Sequence, residues 1–266
     1  MLTDAHCHPY DLAQHSSAAE DERRQLGVIC AASATTMEEF TFCEQLSQQA
    51  DAPPLLPCFA VHPQMPAVMP AAVQSSCSEQ LAVLEALAAQ GRLAAIGETG
   101  FDLYNAAFRE TEKIQDDLFA AHLEAALRHG LPLVIHVRRA MHKIFAHEAS
   151  LKKCRAVIFH SWPGTAGEGN ALLRRGINAF FSFGNAIRLN HREAIRCCAV
   201  FPADRLLTET DAPFQPPQGK DFSCYADLAP ILETMTALRR EAGTADLTAE
   251  EMKKIVEKNF HAAFNQ

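Results

Sequence analysis

Short apolar runs alternate along the chain with longer stretches in which apolar residues recur at helical spacing. Eight of the runs read as strands: Leu2–His8, Val28–Ser33, Leu55–His62, Leu93–Thr99, Leu131–Val137, Ala156–His160, Ile177–Phe183 and Arg205–Asp211. Most are near-continuous rather than alternating, as expected of parallel strands covered on both faces. Helical patterns fall between them at Met37–Gln49, Glu79–Ala89, Glu110–Arg128, Met141–Ala149, Gly167–Arg175, His191–Val200 and Tyr225–Arg240. A last helix over Ala249–Lys258 follows Thr248 as N-cap, with Glu251 placed to complete a capping box. Eight strand–helix pairs in 266 residues predict an α/β fold of the (β/α)8 TIM-barrel type, with residues 1–266 as a single domain. A doubly wound open sheet would carry a glycine-rich phosphate turn after its first strand, and none is present.

Composition narrows the setting. No apolar run is long enough to predict a membrane span, and the opening MLTDAHCHPY has neither the basic nor the apolar region of a secretory signal. A cytoplasmic location is the expectation. The nine cysteines are odd in number, lack a C-x-x-C spacing and include the adjacent Cys197 and Cys198, which suits a reduced set. A formal net charge of −8 disfavours a protein that coats nucleic acid through a broad basic surface. It leaves room for an enzyme whose metal ions supply positive charge locally.

Chemistry gathers at the strand ends. The first strand ends in His6-x-His8, the fourth in Gly97-Glu98, the fifth in His136, the sixth in His160 and the eighth in Asp211. In a parallel barrel these ends converge on the face that carries active sites. Strand alternation turns His6 and His8 to one side and Cys7 to the helices. Two carboxylates and four imidazoles suit Zn, Mn, Co or Ni, with Mg possible if water completes its shell. Glu98 can bridge two ions with its two oxygens. A single histidine at a strand end is usually structural; six such residues at five strand ends predict a metal centre.

These residues resemble the TatD family of metal-dependent deoxyribonucleases, within the amidohydrolase-like barrels. The resemblance runs through TDAHCH (3–8), AVHPQ (60–64), AAIGETGFDLY (94–104), LPLVIHVRRA (131–140), VIFHSWPG (157–164), LLTETDAPF (206–214) and KNFHAAF (258–264). It implies metal ligands His6, His8, Glu98, His136, His160 and Asp211, and two divalent ions (Mg, Mn or Zn) about 3.5–4 Å apart. The implied reaction is hydrolysis of DNA phosphodiester bonds, in single-stranded or damaged DNA, with Asp211 as general base and Glu98 as the other catalytic carboxylate. The chain departs from the family pattern at Gln64, His122, Ser161–Gly164 and Gln218–Tyr225. The ligand positions are untouched by these departures.

Other residues have two readings each. Glu209 and Asp4 lie two positions before Asp211 and His6, on the same side but deeper, as supports for a ligand or as buried structural carboxylates. His62 could reach a substrate phosphate or leaving oxygen, or cap its strand. Arg138, Arg139, His142, Lys143, Arg188, His191, Arg192 and Lys220 follow strand ends and could guide an anionic strand. Lys152, Lys153, Arg155, Arg174 and Arg175 are expected on the opposite face, so charge alone does not mark the groove. Trp162, Tyr104 and Phe214 could stack on bases or pack within loops. The loop Phe214–Ser223 could be a lid or a plain rim. Two further functions stay open at this stage: hydrolysis of a small amide, ester or lactone, and a catalytically silent barrel used as a binding module.

Overall fold

The computed structural model describes residues 1–68 and 74–264. Among them, eight parallel strands stand in sequential order: β1 (Leu2–Cys7), β2 (Val28–Ala34), β3 (Leu55–Phe59), β4 (Ala95–Asp102), β5 (Leu133–Arg138), β6 (Val157–Phe159), β7 (Ala179–Phe183) and β8 (Leu206–Thr208). Helices follow the strands and form the outer layer, so the expected (β/α)8 barrel is what forms. β8 meets β1 at the seam through Thr208, whose hydroxyl donates to Thr3 O (2.7 Å). Just beyond it, Asp211 N–H donates to His6 O (3.0 Å) and His8 N–H to Ala212 O (2.8 Å).

The barrel interior is filled by side chains from successive strands, among them Ala5, Ile29, Leu56, Ala95, Val134, Ile158, Phe180 and Leu207. Phe260 and Phe264 of the last helix, Ala249–Phe264, pack into the same cluster. Asn259 latches that helix to the start of β8 by donating to Ala203 O (2.8 Å) and Leu206 O (2.9 Å). The predicted capping box forms: Glu251 N–H donates to Thr248 Oγ1 (3.2 Å) and Thr248 N–H to Glu251 Oε2 (2.8 Å). A larger apolar layer lies between the strands and the helices. Two short helices that the periodicity did not indicate, Pro9–His15 and Ala19–Leu26, follow β1.

Two strand boundaries differ from expectation in ways that matter to the site. β3 ends at Phe59 and β8 at Thr208, so His62 and Asp211 each lie three residues beyond their strands. Two irregularities also break strict alternation. The β1–β2 register shifts between Asp4 and Cys7, and the β4–β5 register shifts between Ile96 and Thr99. Each inserts an extra residue beside a metal-type side chain, a common use of bulges near active sites. The two glycines around Glu98 permit this. A Cβ on Gly97 would stand 2.5 Å from Val134 Cβ, and one on Gly100 (φ +136°) 1.9 Å from His136 O. Only glycine lets β4 and β5 approach so closely there.

Candidate metal centre

Glu98 occupies the middle of the barrel mouth, almost wholly buried, with a different group of nitrogens at each oxygen. Its Oε2 lies 3.1 Å from His6 Nε2 and 3.7 Å from His8 Nε2. Its Oε1 lies 2.7 Å from His136 Nδ1, 2.8 Å from His160 Nε2 and 3.2 Å from His62 Nε2. Asp211 Oδ1 completes the first group at 3.5 Å from both His6 Nε2 and His8 Nε2. All six strand-end residues therefore meet, and His62 joins them. Cys7 packs with Leu12 and Val28 on the helix side, as alternation indicated.

The donor set fits divalent cations on grounds internal to the structure. Ring nitrogens face one another at close range: His6 Nε2 and His8 Nε2 at 3.1 Å, His136 Nδ1 and His160 Nε2 at 3.2 Å. The second nitrogen of each inner ring turns to an oxygen. His6 Nδ1 lies 3.2 Å from Ser33 Oγ, His136 Nε2 3.1 Å from Asp102 Oδ2, and His160 Nδ1 3.8 Å from Glu209 Oε1. His6 and His136, which present one nitrogen to a common centre and tether the other to oxygen, are oriented as metal ligands are, while His160 Nδ1 faces Glu209 beyond hydrogen-bond distance.

The electrostatics are those of a cluster that holds opposite charges in a dry place. Burial raises the Glu98 carboxyl, yet His160, His62 and His6 outweigh it and hold it well below its ordinary value. Burial lowers His160, but Glu98 and Glu209 pull it well above the usual imidazole range. Burial likewise opposes His136, which Asp102 and Glu98 raise. His6 is lowered, by burial and by the charge of His160. For Asp211, burial works upward, and the bond to His8 together with the charges of His160, His6 and His8 more than offsets it.

Around this cluster lies a set of supports, several of which the sequence did not indicate. Asp102, the last residue of IGETGFD, is held by Gln115 of the helix Glu112–His129, whose Oε1 accepts Asp102 N–H (2.8 Å). Gln64, a departure from the family pattern, donates to Asp102 Oδ2 (2.7 Å) beside His136. His122, another departure, is buried. Its Nε2 accepts Val61 N–H (3.0 Å) and its Nδ1 donates to Leu118 O (2.6 Å). That tautomer is neutral, and burial lowers the ring to about 4. Glu209 accepts Ser161 N–H (2.7 Å) and Ser161 Oγ–H (2.6 Å).

Asp4 reaches the backbone of His6, whose N–H it accepts at Oδ1 (3.3 Å). It turns to the seam, accepting Thr210 N–H (2.9 Å) and Thr210 Oγ1–H (2.6 Å), and burial pushes its carboxyl up to about 8.

The cluster opens into a cleft of about 820 Å³ lined by Asp11, Glu39, Arg138, His191, Arg192 and Phe214 among others. The proposed guiding cations divide. Arg138 lies on the cleft wall, its guanidinium 3.7 Å from the Tyr104 ring centroid, and Arg139 stands 4.5 Å from the same ring. Lys143 is neutralised by Glu112 (2.5 Å) and Asp116 (3.0 Å), and Arg188 bonds to Asn185 (2.7 Å), so neither is free to meet a strand. His142 and Lys220 are exposed and do not line the cleft.

The stacking candidates divide too. Trp162 is only 3% exposed and packs edge-on against Phe159 and Phe181, which leaves no free face for a base. Tyr104 is engaged by both arginines. Phe214 is 50% exposed and meets His8 edge-on at 5.1 Å, so it is the aromatic ring left open at the mouth.

Comparison with known proteins accords with this geometry. The TatD related DNase family matches residues 3–265. The uncharacterized metal-dependent hydrolase YcfH of Escherichia coli is 27% identical over 282 residues, covering 100% of this chain and 96% of that protein. The 3'-5' ssDNA/RNA exonuclease TatD of Erwinia tasmaniensis is 30% identical over 181 residues, 65% of this chain and 68% of that one. Among solved structures, the TatD homologue YJJV of Escherichia coli gives a TM-score of 0.82 over 100% of this chain and 98% of that chain. It is 24% identical, a likeness of fold.

Proposed function

The chain belongs to the TatD related DNase family of metal-dependent hydrolases, and from that premise we propose that it hydrolyses phosphodiester bonds in DNA, single-stranded or damaged. The observation that carries this reading is the division of Glu98, with one oxygen among His6 and His8 and the other among His62, His136 and His160. We read it as a carboxylate shared by two divalent ions, Mg, Mn or Zn. One would be held with His6, His8 and Asp211, the other with His136 and His160. Such ions supply a nucleophilic water at neutral pH and offset charge on the phosphoryl oxygens.

The chain's own residues do the rest. Asp211 takes the proton of the attacking water. His62, at the mouth, meets the phosphate or the leaving oxygen. Arg138, with His191 and Arg192 across the cleft, attracts the anionic backbone, and Phe214 offers a face to a base. Residues 1–266 are read as one hydrolase domain. No helix among the described residues is long and apolar enough to cross a membrane. All nine cysteines are free, which supports a reducing, cytoplasmic setting.

Elemental analysis of the purified protein, paired with cleavage assays before and after chelation, tests the reading. Oligonucleotides, small esters and small amides serve as the panel. Oligonucleotide cleavage that vanishes on chelation and returns with Mn2+ is expected. Chelation-sensitive turnover of esters or amides alone would replace the substrate class, and bound metal without turnover would point to a binding module.

A further inference from the structure

Gln215 belongs to the loop after β8 and lies outside the ligand set, yet its amide nitrogen makes two short contacts. It donates to Asp211 Oδ2 (2.6 Å) and to Ser161 Oγ (2.6 Å). An amide nitrogen has two N–H donors, and both are used. Ser161 then passes its own hydroxyl proton toward Glu209 Oε1 (2.6 Å), the carboxylate that stands 3.8 Å from His160 Nδ1. Carboxylates at both ends accept, so every donor direction in the chain is fixed. The backbone holds the amide in place: Gln215 sits at φ +52°, a region costly for a side-chain-bearing residue, and its carbonyl accepts Asn185 Nδ2–H (3.1 Å).

We propose that Gln215 is a positioning residue for the metal centre. It fixes Asp211 through Oδ2, so that Oδ1 stays turned to His6 and His8, and it ties that side of the centre to the Glu209–His160 side through Ser161. This rests on the reading of Asp211 as a ligand. Partners at this remove typically account for about 10–100-fold in metal affinity.

Mn2+ titration of the metal-free protein, read by the loss of the free-ion paramagnetic signal, tests it without recourse to activity. Gln215→Leu keeps volume and removes the donors. It should weaken the affected ion by about 10–100-fold. In an Asp211→Ala background the same change should cost clearly less, because the carboxylate it positions is gone and only the tie through Ser161 remains. Unchanged Mn2+ affinity in Gln215→Leu, or an equal loss in both backgrounds, overturns the proposal alone. Absence of Mn2+ uptake by the wild-type chain overturns the metal-centre reading beneath it. Should Gln215→Leu not fold, Ser161→Ala decides: it frees one donor of the amide, and a smaller loss is expected, whereas wild-type affinity overturns the relay.

Discussion

His6, His8 and Asp211 stand together across the seam where β8 meets β1, whereas His136 belongs to β5 and His160 follows β6, with the His160 ring 4.2 Å from that of His6. The seam side is built by the strands themselves. The backbone bonds that join Asp211 to His6 and His8 to Ala212 also bring the three side chains together. Asp4, at the same seam, pins Thr210 one residue before Asp211. The β5–β6 side depends on groups that reach in from elsewhere. Asp102 holds His136, Gln64 and Gln115 hold Asp102, and His122 holds the backbone one residue before His62. One side is thus secured by closing the barrel, the other by the loops and the helix laid over it. Disturbing a support should then cost metal affinity locally on the second side, while on the seam side it should also disturb folding.

The largest effect tests where the two sides join. Glu98→Gln removes charge from both groups of nitrogens at once, and it should abolish metal uptake and bring nuclease activity to background. Asp211→Asn touches the seam side only. It should retain metal on the His136–His160 side while kcat falls by about 10²–10⁴-fold, the usual contribution of a general base. Elemental analysis beside turnover separates the two. If Glu98→Gln kept its full complement of metal, the two groups would not share a carboxylate and the comparison would fail.

Much of the seam side was legible in the sequence, because each ligand follows an apolar run and a parallel barrel gathers such ends. His136 and His160 were legible for the same reason. Their supports were not. Asp102 closes a recognised motif, but nothing local indicates that it faces a histidine one strand away. Gln64 reads as a lost histidine, and its bond to Asp102 depends on where the loop after β3 goes. The irregularities in β1 and β4 are properties of pairing with a neighbour, so the bond of Asp4 to the His6 backbone and to Thr210 is not legible from alternation. Trp162 follows Ser161, which sits at φ +42°, and its backbone N–H donates to Ser182 O (3.1 Å), so it packs inward. The direction of a loop side chain follows from such backbone turns, which composition does not encode. The helix Ala19–Leu26 was missed because its sequence, AEDERRQL, carries almost no apolar stripe.

The next effect concerns a support on the β5–β6 side. Asp102→Asn keeps the size of the side chain and its place beside Gln115, but weakens its hold on the His136 ring. Metal affinity on the His136–His160 side should fall by about 10–100-fold while the seam side keeps its own. Two-site Mn2+ titration reads the difference. Equal losses on both sides would mean that the centre behaves as one unit and that the division drawn above has no energetic content.

The smallest effect at neutral pH belongs to His122, which touches no ligand and acts on the backbone that leads to His62. Burial lowers its folded pKa to about 4, below the 6.5 of an unperturbed histidine. The unfolded chain therefore takes up this proton first as the pH falls. The associated stability is fully present above about pH 6.5 and is lost between there and about pH 4; a shift of this size corresponds to about 3 kcal/mol. His122→Gln cannot titrate. Urea unfolding from pH 7 to pH 4.5 should show a steeper loss for the wild-type chain than for the variant, with Mn2+ affinity at pH 7 little changed in either. Parallel stability profiles would mean that His122 is not held neutral in the fold. A large loss of metal affinity at pH 7 would instead place this buried ring among the supports on which the β5–β6 side depends directly.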